Sequence, residues 1–300
     1  MIILKSASRT RQRANTVHGL VVEHGVLSTI DHPGATTVPG TLGYAGSGLG
    51  AVNDRGDMVG YYEGRDRPGV EQIFVRDAKG HFATVPGHPG AVYTEVLDIT
   101  NRGELVGFYY QTDADLAAGI SHGFRRGSDG RETPIEVPGA KATAPFHSND
   151  RGQIVGIYLV GDSPYGHGFV WDAGEVEKVD VPGAIDTALF GINNRGQTVG
   201  VYVNADNTYH GLLRDPHGTT TPLDARGASP TMGGTQLSGI NDRGQLAGTA
   251  YDDRGGTTAV LYERGRFTTL AGPGATFTRA LDINSRGQAV GDYGVKPAQP

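Results

Sequence analysis

Six stretches of this chain carry nearly the same ten residues: NDRGDMVGYY at 53–62, TNRGELVGFY at 100–109, NDRGQIVGIY at 149–158, NNRGQTVGVY at 193–202, NDRGQLAGTA at 241–250 and NSRGQAVGDY at 284–293. Their arginines, Arg55, Arg102, Arg151, Arg195, Arg243 and Arg286, are 47, 49, 44, 48 and 43 residues apart. A period of about 40 to 50 residues matches four-stranded propeller blades. Around each copy lie short apolar or alternating runs bounded by Gly, Pro, Asn and Asp, without a sustained 3.6-residue apolar stripe, so the chain reads as all-β. The fourth unit divides into strands A to D, ALFGIN (188–193), QTVGVYV (197–203), YHGLLRD (209–215) and TTTPLD (219–224). The N-x-R-G segment between A and B fits a hairpin in which the Asn side chain caps the turn and the Gly accepts positive φ.

The two ends complete each other. Residues 17–30 (VHGLVVEHGVLSTI) match strands C and D, while residues 280–293 match A and B. The expectation is therefore one six-bladed β-propeller of four-stranded blades over residues 17–293, closed by pairing of the N-terminal C/D strands with the C-terminal A/B strands. A basic tail (1–16, with Lys5, Arg9, Arg11 and Arg13) and a short C-terminal tail (294–300) flank it. An open β-solenoid is the rival, but it needs capping units. The glycine five residues after each arginine is expected where neighbouring blades touch. The tyrosines two residues later (Tyr62, Tyr109, Tyr158, Tyr202, Tyr293) are read as inter-blade packing.

Composition narrows the function classes. The 300 residues include 48 glycines and 16 prolines and carry a net charge of −6, which suits a turn-rich folded chain and disfavours a nucleic-acid partner. With no cysteine, disulfides and thiolate metal sites are excluded. MIILKSASRTRQRAN is too short in apolar residues for an export signal, and no run is long enough to span a bilayer. The sequence as written reads as cytoplasmic, or extracellular if it is a trimmed form, with no membrane partner, and as a monomer.

The PGA tripeptides at 33–35, 89–91, 138–140, 182–184 and 273–275, together with I-N-x-R-G-x-x-V-G-x-Y and H-G-F, resemble the bacterial HAF-type extracellular repeats across nearly the whole chain. That resemblance implies a β-propeller-like or otherwise repetitive β fold, often secreted, with no settled activity and no agreed catalytic residues.

His18, His122, His167 and His210 all precede Gly at the start of strand C, but residues related by a blade repeat are spread around a ring, too far apart for a shared zinc ion. They read as ties from strand C to a nearby loop. The turn arginines likewise read as local hydrogen-bonding groups, and DADLAAG (113–119) lacks the later residues of a calcium loop. The informative positions are those where the repeat breaks its own pattern. Four residues before each arginine stand Ala51, Asp98, His147, Gly191, Gly239 and Asp282 on the channel-lining strand. Three residues nearer the top come Gly48, Glu95, Ala144, Ala188, Gln236 and Arg279. Asp98, His147 and Asp282 are thus the candidate catalytic residues, with Asp98 or His147 as proton acceptor and Asp282 as partner. Glu95, Arg279 and Gln236 are candidate ligand contacts, and Tyr44, Tyr93, Tyr165 and Tyr209 are expected as aromatic walls at the mouth. No metal site or cofactor is indicated, since the chain has no phosphate loop, H-E-x-x-H or G-x-S-x-G elbow. The leading expectation is a propeller that binds a small molecule, glycan or protein at its top face. The alternative is a cofactor-independent acid/base enzyme of lyase, cyclase or hydrolase type in the channel mouth.

Overall fold

The computed structural model describes residues 15–37, 44–65 and 70–296. Lys5, Arg9, Arg11, Arg13 and the Tyr44 side chain lie outside the described set. The strands are β1 (Asn15–Glu23), β2 (Val26–Ile30), β3 (Tyr44–Val52), β4 (Met58–Glu63), β5 (Glu71–Arg76), β6 (Phe82–Val85), β7 (Tyr93–Ile99), β8 (Leu105–Tyr110), β9 (His122–Arg126), β10 (Glu132–Ile135), β11 (Ala142–Ser148) and β12 (Ile154–Leu159), followed by β13 (Gly166–Asp172), β14 (Glu175–Val179), β15 (Ala184–Ile192), β16 (Thr198–Asn204), β17 (Tyr209–Arg214), β18 (Thr220–Pro222), β19 (Thr235–Ile240), β20 (Leu246–Tyr251), β21 (Thr257–Glu263), β22 (Arg266–Leu270), β23 (Ala275–Ile283) and β24 (Ala289–Val295).

Strands β7–β10, β11–β14, β15–β18 and β19–β22 form four separate four-stranded antiparallel meanders. The expectation of six separate four-stranded blades is corrected by the remaining strands, which form one eight-stranded sheet in the order β23-β24-β1-β3-β4-β5-β6, with β2 on β1. The cause is local. Strand β1 pairs with β24 along one edge, Leu20 opposite Gly291, and its C-terminal part pairs with β2. Its first residues run past the end of β2 and pair in parallel with β3, from Asn15 opposite Tyr44 to Val17 opposite Gly46. Gly46 permits this: its φ is +99°, and a Cβ there would sit 2.0 Å from the Val17 carbonyl oxygen.

Each N-x-R-G turn is built as its residues dictate. Asn193 accepts the backbone N–H groups of Arg195 and Gln197 on Oδ1, both at 3.0 Å, and Gly196 takes φ +78°. The Asn amide also leaves its own turn, since Asn193 Nδ2 donates to the carbonyl of Asn241 (3.1 Å). The same bond joins Asn53 to Thr100, Asn149 to Asn193, Asn241 to Asn284 and Asn284 back to Asn53. Thr100, which replaces the Asn in its turn, accepts the two turn N–H groups on Oγ1 but, lacking an amide Nδ2, makes no such bond to Asn149.

The core lies between sheets. The third residue of each H-G-[F/L] run, Leu20, Phe124, Phe169 and Leu212, is fully buried, each contributing about 1.5–3 kcal/mol of burial. The preceding histidines face outward and bond an acid at the end of strand D through Nδ1: His18 to Asp31, His167 to Asp180 and His210 to Asp224 at 2.8 Å, and His122 to Glu136 at 3.1 Å. The strand-B tyrosines stack on these rings within their own sheet, Tyr158 on His167 and Tyr202 on His210, and their other side packs with the linker from the preceding sheet. They join strands B and C first and neighbouring sheets second, which corrects the purely inter-blade reading. DADLAA (Asp113–Ala118) is a helical turn, with Thr112 as its N-cap and Asp115 bonding back to it, so its D-x-D pair belongs to a capping box. No helix among the described residues is long and apolar enough to cross a membrane.

Candidate functional site

Every strand A is interrupted by a β-bulge at the same height. The register shifts between Leu49 and Ala51, Val96 and Asp98, Pro145 and His147, Leu189 and Gly191, Leu237 and Gly239, and Ala280 and Asp282. The partner strand answers with the repeat glycine. A Cβ at Gly107, Gly200 or Gly291 would lie 1.9–2.0 Å from the carbonyl oxygen of Glu95, Ala188 or Arg279, so only glycine fits opposite the bulge. The close approach is therefore within one sheet, not between neighbours as the sequence suggested.

The bulge re-aims side chains, as bulges do. The extra residues Gly50, Leu97, Phe146, Phe190, Ser238 and Leu281 line a cavity whose volume is about 750 Å3, open mouth included. Gln236, Thr249, Tyr251 and Arg279 complete its wall, and His147 and Asp282 also line it. The rings of Phe146 and Phe190 meet edge to face, with centroids 5.2 Å apart. A second hollow lies at the turn end of the channel, lined by the turn residues, Asp98 and again His147. His147 thus stands between the two.

Asp98, His147 and Asp282 converge although they come from three different sheets. Their nearest ligand atoms all lie within 4.8 Å of one another. His147 Nε2 is 3.3 Å from Asp282 Oδ1 and 3.6 Å from Asp98 Oδ1, while its Nδ1 is buried without a hydrogen-bond partner. Both aspartates are buried, and each carboxylate is held by backbone. Asp98 Oδ1 accepts from Ile99 N, and its Oδ2 accepts from both N and Oγ of Ser148. Asp282 Oδ1 accepts from Ile283 N and its Oδ2 from Val52 N. Each aspartate therefore also ties its strand to the next strand A. The intervening positions are Gly191 and Gly239, where a Cβ would press on Ser238 or Asp282 backbone at 2.8 Å.

Burial opposes a charge on His147, but the two carboxylates outweigh it and push the imidazole up to about 9. Burial raises Asp98, partly offset by His147 and reinforced by Asp282. The two carboxylates thus favour the protonated imidazole, the form of His147 that donates a proton.

The other candidates divide. Gln236 and Arg279 line the cavity. The Arg279 guanidinium is bound at two points by the fully buried Asp292 (2.8 and 2.6 Å), which also accepts from Tyr61 Oη at 2.6 Å. Its charge is already matched. Glu95 is buried and accepts from Tyr93 Oη at 3.1 Å; Tyr93 packs on Tyr110. Neither they nor the half-buried Tyr165 and Tyr209 line the cavity, whose walls come instead from Tyr251 and the bulge residues. The six bulge residues are the ones sequence reasoning passed over. Their signal was the invariant strand-B glycine, which marks where strict alternation fails.

No family model matches the sequence, and no curated protein matches it. Solved structures similar in fold include TolB from Acinetobacter baumannii (9% identity, TM-score 0.54, covering 93% of this chain and 63% of that one). AofleA from Arthrobotrys oligospora is similar at 11% identity and TM-score 0.53, over 96% and 91% of the two chains. The SapL1 lectin in complex with alpha methyl fucoside is similar at 14% identity and TM-score 0.50, over 82% and 85%. These likenesses bear on the fold alone: the chain is all-β with a β-propeller arrangement.

Proposed function

We propose that the protein binds a small, neutral, amphipathic molecule of the sugar or glycoside class in the cavity above His147. The observation that carries this reading is the composition of the wall. Phe146, Phe190, Leu97 and Leu281 offer apolar surface for the C–H face of a pyranose, while Gln236, Ser238 and Thr249 offer hydroxyl and amide partners beside it. Arg279 adds shape and a polar edge but no unmatched charge, which favours a neutral ligand over an anion. The similar SapL1 lectin is in complex with a methyl fucoside, and monosaccharide glycosides are the natural first probes. Ligand-observed NMR and thermal shift across a panel of glycosides test the reading, with Phe190→Ser and Gln236→Ala as variants. At least a tenfold weakening in each variant is expected; a hit whose affinity is the same in both places the ligand elsewhere.

A second reading rests on His147. Its imidazolium lies on the cavity wall between two carboxylates, and as a general acid it would protonate a leaving oxygen of a bound ligand. Asp98 does not line the cavity, so its part is to hold and charge the imidazole. Turnover of a glycoside hit that is lost in His147→Gln, with binding retained, would favour catalysis; turnover unchanged in that variant would refute it.

A further inference from the structure

We propose that Asp98 Oδ1, His147 Nε2 and Asp282 Oδ1 hold a divalent transition-metal ion at the inner end of the cavity, leaving one coordination position for an oxygen of the bound ligand. The inference rests on the reading of that cavity as the ligand site and adds the chemistry of its floor.

The three donor atoms are spaced so that one ion can reach them all. Metal–ligand bonds of about 2.0–2.2 Å place tetrahedral neighbours about 3.4 Å apart. The observed imidazole–carboxylate separations are 3.3 and 3.6 Å, and the two carboxylate oxygens, within 4.8 Å of each other, draw together on the ion by up to about 1.4 Å. Three protein ligands with a fourth position turned to a solvent-connected hollow is the arrangement of an open metal site. Nε2 is the ring nitrogen that faces both carboxylates, while Nδ1 is buried without a hydrogen-bond partner.

Charge points the same way. Two buried carboxylates, Asp98 and Asp282, each 2% exposed, face one imidazole; when both are ionised, even a fully protonated ring leaves an excess negative charge in a poorly hydrated place. A divalent ion with a neutral imidazole balances the set. One imidazole with two carboxylates suits zinc or manganese better than a softer ion. The repeat supports a specific placement: at the same height the other A strands carry Ala51, Gly191 and Gly239, so the donor groups occur only where they converge.

The test uses the full chain, stripped by chelator dialysis and titrated with Zn2+ by calorimetry, with Co2+ absorption as the reporter of ligand geometry. One ion per chain is expected, with a zinc-dependent rise in melting temperature. His147→Gln should abolish the Co2+ d–d bands, and Asp282→Asn should weaken zinc at least tenfold while keeping a native far-UV spectrum. Mn2+-induced broadening of the His147 ring protons supplies a readout in the unmutated protein. Absence of stoichiometric binding to the wild-type chain, or binding undiminished in His147→Gln, overturns the proposal. The glycoside panel is run with chelator and again with zinc: a hit equal in both conditions, without zinc uptake, leaves the cavity reading standing and removes the metal. Zinc uptake without any hit does the opposite.

Discussion

Replacing the Asn of one repeat turn measures how the sheets are tied together, and the protein contains its own control. Asn193 is 3% exposed and uses all its capacity: Oδ1 accepts from Arg195 N and Gln197 N, and Nδ2 donates to Asn241 O and to Gln197 Oε1 (2.9 Å). Asn193→Ala removes four hydrogen bonds and strands two backbone donors and a buried carbonyl. At about 1 kcal/mol net for each bond, the loss is about 4 kcal/mol. Asn193→Thr copies Thr100, whose Oγ1 receives the equivalent two N–H groups at 3.1 Å. Only the amide's two bonds then disappear, for a loss of about 2 kcal/mol. Urea unfolding followed by Trp171 fluorescence and far-UV circular dichroism reads both values, provided the two probes coincide and the m-value is unchanged. Equal destabilisation by Ala and Thr, or less than about 1 kcal/mol for Ala, would refute the account of the turn as both cap and inter-sheet link.

Gly200→Ala should cost about 3 kcal/mol, because its Cβ would sit 1.9 Å from the Ala188 carbonyl oxygen; a melting temperature within a degree of wild type would sink the bulge argument. His147, raised from 6.5 to about 9 in the folded, metal-free chain, contributes stability that is complete below pH 6.5 and lost as the pH climbs through 9, on the order of 3 kcal/mol; His147→Gln should flatten that slope in unfolding curves taken from pH 6 to 9.5. Asp292→Asn leaves the largely buried Arg279 with an unmatched charge and should cost about 3–5 kcal/mol, while giving the cavity an affinity for anionic probes that the wild type lacks. His210→Gln reproduces the Gln72 of an equivalent strand and removes partly exposed contacts to Asp224 and Thr208 and the stacking on Tyr202, so its unfolding free energy should fall by no more than about 2 kcal/mol.

The turns were legible because their determinants are local: Asn caps its own loop, Gly takes positive φ, and neither depends on distant packing. Deviation from the repeat likewise singled out Asp98, His147 and Asp282, which the structure brings together. What period-two alternation could not foresee was the bulge. One extra residue in each strand A turned Leu97, Phe146, Phe190 and Leu281 inward, and the expected aromatic wall of Tyr93, Tyr165 and Tyr209 lost its place to them. Whether an imidazole accepts or donates depends on how close two carboxylates come, a distance set by three sheets far apart in sequence. The eight-stranded sheet was hidden in three residues at the start of β1, whose partner is chosen by the open backbone of Gly46 and not by any side-chain pattern.

The seam at β1 has a temporal side. Strand β1 precedes every other described strand in the chain, yet its long edge is satisfied only when β24, the last of them, arrives. Until then β1 is paired only with β2 and, over three residues, with β3, and its other edge stays open through the synthesis of every intervening sheet. Folding should accordingly end with a slow docking event that joins the first described strand to the last, and the reverse of that event should set how long the native protein survives.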